Sequence, residues 1–274
     1  MPASADEHHR TITIPPEGVT LTSDDRPNPS AAAVQKLRLR YAKRGPLRFT
    51  SHRDVARAFE RALRRAKVPM AYSQGFNPHP KISWIGASPT GVASEAEYVE
   101  IQVVEELDPG ELVHVLDEAM PPGLDLLEAV PADGGTLADR MEASRWRIEL
   151  PGVAPDTLRA AFAQLIAAEV VEVERLTKHG MRTIDARAAV VTGRVEESPS
   201  TPPAGPCGIL EVVVRQLTPA VRPDDVLSAL RVVAALEPPV PAKATRMAQG
   251  RLDDGGVLSD PLAPDRAARA SASG

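Results

Sequence analysis

The chain has 274 residues with a net charge of −5, 43% of them hydrophobic and 25% charged, the balance of a soluble globular protein with core enough for two domains of ordinary size. One cysteine, Cys207, excludes an internal disulfide, a multi-cysteine zinc site and a protein-held iron–sulfur cluster; with His52, His79 and His179 scattered and no P-loop or G-x-G-x-x-G, neither a metal nor another cofactor is expected. No run of about 18 apolar residues offers a membrane span, and the N-terminus MPASADEHHRTITIPPEG is not a secretory signal, so a cytoplasmic protein without a membrane partner is expected.

Residues 1–33 are rich in Pro, Ser, Asp and Ala without apolar periodicity and are expected to form a disordered tail. Leu37-Arg38-Leu39-Arg40-Tyr41 alternates apolar and basic residues as a half-buried strand does. Ser51-His52-Arg53-Asp54 then has the spacing of a capping box. The helix it opens places Val55, Phe59, Ala62, Leu63 and Ala66 on one face and should stop before Pro69. Arg53, Arg57, Arg61, Arg64 and Arg65 fall on another face as a stripe of guanidinium groups. Between Lys36 and Lys81 thirteen Lys or Arg stand against Asp54 and Glu60, a local charge of +11. Local sign is what an anionic partner feels.

Tyr72-Ser73-Gln74-Gly75-Phe76-Asn77-Pro78-His79-Pro80-Lys81 follows. Pro78 and Pro80 remove amide donors and fix φ, which bars helix or central strand and pushes Asn77 and His79 toward extended backbone. Two readings of this stiff loop stand side by side. In one, Phe76 plugs the core, Asn77 closes a turn and the His79 ring bonds a backbone carbonyl. In the other, a preorganised loop presents Gln74, Asn77, His79 and Lys81 to an anion beside the arginine stripe, with Tyr72 or Phe76 as an exposed stacking ring. A further alternative makes His79 or His52 a general base.

Ile82 to Ile85 and Tyr98 to Val104 read as strands, Asp108 to Met120 as a capped helix ended by Pro121-Pro122-Gly123, and Leu124 to Val130 as a last strand. The order is β-α-β-β-α-β, a ferredoxin-like unit over residues 34–131. The pattern recurs over 144–252: strand Ser144 to Leu150, helix Asp156 to Ala168, strand-like Val170 to Leu176 and Ile184 to Val195, a proline-rich insert Pro199 to Pro206, strand Gly208 to Leu217, helix Pro223 to Leu236 and strand Ala242 to Leu252. Arg175, Lys178, His179, Arg182 and Arg187 around Gly180 make a basic hairpin, either part of a binding surface or a solvated turn. Residues 253–274 read as a second disordered tail. The expected fold is therefore α+β, two tandem ferredoxin-like units between disordered tails.

Phe49-Thr50-Ser51-His52-Arg53-Asp54, Glu60-Arg61-Ala62-Leu63-Arg64-Arg65-Ala66, the 72–82 segment, Gly91-Val92-Ala93-Ser94-Glu95 and Glu97-Tyr98 together resemble an uncharacterised radical-SAM-linked bacterial family. Thr177-Lys178-His179-Gly180 and Ile184-Asp185-Ala186-Arg187 echo a second motif of it. Departures from its pattern are Arg53 for an aliphatic residue, Glu100 for Asp and His179 for Lys. The resemblance implies association with a radical-SAM enzyme, although this chain has no C-x-x-x-C-x-x-C and is not itself that enzyme.

The expectation drawn from the residues is an RNA-binding accessory protein in tRNA or rRNA maturation or modification. Its RNA contacts would be Arg53, Arg57, Arg61, Arg64, Tyr72, Gln74, Asn77, His79 and Lys81. The alternatives are an adaptor docking a radical-SAM enzyme and a metal-independent RNA-processing enzyme.

Overall fold

The computed structural model describes residues 31–177, 180–197 and 205–272. They form a mixed α/β fold with five helices, one large mixed sheet of nine strands and a separate two-stranded ribbon.

The first half runs β1 (Gln35–Lys43), α1 (His52–Arg65), β2 (Ile82–Ile85), β3 (Ala93–Val103), α2 (Pro109–Ala119) and β4 (Leu124–Pro131). Its strands lie in the order β4-β1-β3-β2, every neighbour antiparallel. Local chemistry sets the helix ends. Ser51 caps α1, accepting from the Asp54 amide at 3.3 Å and donating to the Asp54 carboxylate at 2.7 Å. Asp108 caps α2, accepting from the amides of Gly110 and Glu111, with Pro109 at the first helical position, where no amide is needed. Val55, Phe59, Ala62 and Leu63 of α1 pack with Leu112 and Leu116 of α2 on Leu37, Leu39, Tyr41, Val99 and Ile101 of the sheet.

The second half runs β5 (Ala143–Pro151), α3 (Pro155–Ala167), β6 (Glu172–Thr177), β7 (Gly180–Asp185), β8 (Val190–Glu197), β9 (Cys207–Arg215), α4 (Pro223–Ala234) and β10 (Lys243–Leu252). The strand order is β10-β5-β9-β8, again antiparallel, over a core of its own that includes Ile148, Leu158, Phe162, Leu165, Leu210, Val226 and Leu230. The halves share the sheet: Thr245 and Arg246 of β10 pair in parallel with Ala93 and Ser94 of β3.

Two expectations change here. The continuous strand expected over 184–195 is broken by a 3-10 turn at Arg187–Ala189, so β6 and β7 form the separate ribbon and only β8 joins the sheet. Asp185 causes the break, its Oδ1 accepting from the amides of Val171 at 3.1 Å and Arg187 at 3.0 Å, an arrangement that competes with a strand ladder.

The second concerns residues 253–272, expected as tail. They fold into β11 (Leu258–Ser259), paired with β10, and α5 (Ala263–Ala272), with Leu262 and Asp265 buried. Leu262 packs with Ile85, Ala96, Tyr98, Val130 and Leu137 in a third core on the other face of the first-half strands. The sequence of this segment has too few large apolar residues to announce such packing; one leucine and one aspartate carry it. Of the N-terminal tail, residues 1–30 lie outside the described residues, as do Lys178, His179 and most of the 199–206 insert.

Candidate functional site

Because the Ser51 cap sets the register of α1 and its apolar stripe faces the core, Arg53, Arg57, Arg61, Arg64 and Arg65 are left on the exposed side. Arg65 donates to the carbonyl of Ala119 at 3.2 Å and is tied to α2. Arg57 approaches Asp54 only to 3.9 Å with both side chains more than half exposed, a pairing that contributes little. Arg53, Arg61 and Arg64 have no ion pair among the described residues. Four guanidinium groups therefore stand along a helix of 14 residues, about 21 Å at 1.5 Å per residue.

Of the basic residues upstream, Arg38, Arg40, Lys43 and Arg44 do not extend this surface. Arg38 is buried against Glu100 at 2.9 Å and Asp265 at 2.5 Å. The Arg40 guanidinium donates to the Glu95 carbonyl at 2.9 Å, and Lys43 is buried with its ammonium 3.2 Å from the Pro89 carbonyl. Arg44 forks onto Glu95 and Asp125. Each of these cations is engaged by the fold, Arg38 and Arg44 by carboxylates and Arg40 and Lys43 by backbone carbonyls.

The 72–81 loop is a closed finger. Tyr72 bridges Pro80, the Ser73 amide donates to the His79 carbonyl at 2.8 Å, the His79 amide donates to the Ser73 hydroxyl at 3.0 Å, and the Lys81 amide donates to the Ala71 carbonyl at 2.8 Å. Gly75, at φ +129°, takes the bend at the tip that a side chain would resist. This closure throws Phe76 outward, 85% exposed, and the core-plug reading of that ring is overturned. Gln74, Asn77 and His79 are exposed and Lys81 is half-buried. The side chains of Gln74, Asn77 and His79 have no hydrogen-bond partner among the described residues, so the turn-closing Asn77 and the carbonyl-bonded His79 ring are not found either.

His52 opens α1 with its ring 5.2 Å from Trp84, edge to face, and Trp84 in turn packs on Phe59 and Tyr41. No contact joins His52 to His79 among the described residues. Of the rings clustered in this region Tyr41, Phe59 and Tyr98 are core, while Phe49 is 61% and Tyr72 37% exposed. Phe49 was missed by sequence reasoning. It lies just ahead of α1 with the Arg48 guanidinium carbon 4.6 Å from its ring centroid, a cation–π pair at the surface. Its position two residues before the capping serine, outside the helical apolar stripe, was the available signal.

On the ribbon, Arg175 pairs with Asp225 at 2.7 Å and Arg187 donates to the carbonyls of Ile166 and Val190, so both serve the fold. Arg182 is exposed.

A second polar cluster, unforeseen, lies where the halves join. Glu97 is buried between Arg246, which donates to its Oε1, and the Ser88 amide, which donates to its Oε2 at 2.9 Å. Burial pushes the Glu97 carboxyl up, but the Arg246 guanidinium and the hydrogen bonds on it more than offset this and hold it below the usual carboxylate range. Burial is also the main influence on Lys43, lowering its ammonium from the ordinary lysine value.

A family model described as an uncharacterised protein conserved in bacteria (DUF2344) matches residues 36–223, a span that holds α1, the finger and the ribbon. None of the curated proteins matches the chain. Among solved structures, the crystal structure of an unknown protein from Galdieria sulphuraria matches 77% of this chain and 98% of its own at 14% identity, with a TM-score of 0.23.

Proposed function

We propose that this chain, which belongs to the DUF2344 family of uncharacterised proteins conserved in bacteria, is an RNA-binding accessory protein that grips unpaired RNA along α1. The observation that carries this reading is the row Arg53, Arg57, Arg61 and Arg64, exposed and without strong ion pairs, flanked in the chain by two exposed rings, Phe49 before the helix and Phe76 on the finger after it. Guanidinium forks neutralise successive phosphates and release their counterions. Exposed rings accept unstacked bases of any identity. The closed finger has little ordering entropy left to lose when Gln74, Asn77 and His79 meet a ligand. On this reading each half, with its repeated strand order, is a ferredoxin-like unit, and the RNA lies across the helices of the first rather than on its sheet, whose other face is occupied by α5. The role is in tRNA or rRNA maturation or modification. Binding of total small RNA at two salt concentrations tests it: affinity must fall steeply with salt, and binding insensitive to salt would sink it.

A second reading, an adaptor for a radical-SAM enzyme, is favoured by one feature. Leu176 and Met181 face each other across the β6–β7 ribbon with most of both side chains exposed, an apolar pair suited to docking. Capture of that enzyme after nuclease treatment, lost in a Leu176→Ser, Met181→Ser variant, would select it over the first.

A further inference from the structure

Between the Gly86–Pro89 loop of the first half and strands β5, β9 and β10 of the second lies a cleft of about 200 Å³. Arg215 at the end of β9, Arg222 ahead of α4 and Arg246 in β10 line it, with Ser144, Trp146 and Gln216 beside them. The side chains of Arg215 and Arg222 are exposed and have no ion pair among the described residues. Arg246 is a built element of the site. It is 4% exposed, donates to Glu97 and to the Ser94 hydroxyl at 3.4 Å, and has its guanidinium carbon 5.4 Å from the Trp146 ring centroid. One side of the group is thereby fixed, and its Nη1 has no partner among the described residues. Ser144, also 4% exposed, lines the cleft with a hydroxyl that has no partner among the described residues. Neither atom is sealed from solvent, Ser88 Oγ being the one buried side-chain polar atom without a partner among the described residues, so both can donate to a ligand in the cleft.

We propose that this cleft binds a phosphate monoester group. Three arginines line the cleft and only Arg246 among them is paired with a carboxylate, Glu97, so the excess of two positive charges matches a dianion better than it matches a carboxylate or an internal phosphodiester. At about 200 Å³ the cleft falls below the size of pockets that enclose drug-sized molecules, so it takes the phosphate and leaves most of a larger ligand outside. The site stands on the seam between the halves and does not depend on the RNA reading of α1. Free inorganic phosphate and the 5′-phosphate of a nucleotide share the chemistry.

Calorimetric titration at constant ionic strength with inorganic phosphate and, separately, with adenosine 5′-monophosphate tests the proposal. Saturable binding is expected, weakened at least tenfold in an Arg215→Gln, Arg222→Gln variant and unchanged in Arg159→Gln, which removes an exposed arginine of α3. Both substituted arginines are exposed and unpaired, and an unchanged urea midpoint verifies that the double variant folds. Equal affinities identify the phosphate group alone as the ligand, and tenfold tighter nucleotide binding identifies a nucleoside monophosphate. Absence of saturable heat with both probes, or full-affinity binding by the double variant, overturns the site.

Discussion

Asp265 of α5 and Arg38 of β1, 227 positions apart in the chain, meet at 2.5 Å in an ion pair with almost no exposed surface. The same carboxylate accepts from Arg140 at 2.7 Å and from the Asp133 amide at 2.8 Å, so Asp265, with Glu100 also on Arg38, compensates two buried guanidinium groups and closes the C-terminal segment over the sheet. The residual donors of Arg38 and Arg140 go to the carbonyls of residues 133–135. The whole network is satisfied, which is the condition under which buried charge is tolerated.

Removing the carboxylate should therefore be severe. Asp265→Ala leaves buried Arg140 without a carboxylate beside Arg38, which keeps Glu100 alone, and is expected to cost about 3–5 kcal/mol of stability. Urea unfolding measures it, and a loss under about 1 kcal/mol would mean that α5 is not closed over Arg38. Deleting the chain after Ser259 should do the same harm or more, since Leu262 goes with it.

Glu97 predicts the acid side of the stability curve. Its carboxyl is held below the ordinary range in the folded protein, so the folded state binds the proton less readily than the unfolded one. That contribution is present in full above the unfolded value, near pH 4.3, and is lost as pH falls through the lower folded value. Between about pH 5 and about pH 3 the urea midpoint of the wild type should drop more steeply than that of Glu97→Gln, whatever the absolute stability of the variant. Parallel slopes would show that Glu97 does not carry this dependence.

The strands of the first half, the α1 cap and the inward set Val55, Phe59, Ala62 and Leu63 were legible in the sequence because each rests on local periodicity or a cap within one turn. Arg38 was not. Alternation in Leu37-Arg38-Leu39 says that one face of β1 is apolar, and nothing in it says that the other face will be covered by residues near the far end of the chain. Phe76 was ambiguous for a similar reason, since its exposure follows from the Tyr72 to Pro80 bridge that closes the finger beneath it. The cleft arginines sit at 215, 222 and 246, on segments that only the β3–β10 pairing brings against the Gly86 loop.

If α1 tracks a phosphate chain, charge removal has a quantitative signature. For single strands the slope of log affinity against log salt is about −0.7 for each phosphate neutralised. An Arg57→Ala, Arg61→Ala variant should lose affinity at low salt and shift the slope toward zero by about 1.4. Filter binding across a salt series checks this. An unchanged slope would mean that these two guanidinium groups contact no phosphate, and the row on α1 would then be a solvated face.

Phe76 should behave in the opposite manner, because stacking on a base carries no charge. Phe76→Ala is expected to weaken RNA binding by about 1–3 kcal/mol while leaving the salt slope where it was. The ring is 85% exposed and adds little to the core, so the stability of the free protein should hold. His79→Ala separates the finger's polar side chains from its ring: a further loss of affinity with the Phe76 effect intact places the imidazole in contact with RNA, and no loss confines the finger's contribution to stacking. A Phe76→Ala variant that binds as the wild type does, at every salt concentration, would remove the finger from the interface and leave Phe49 with Arg48 as the remaining stacking platform beside α1.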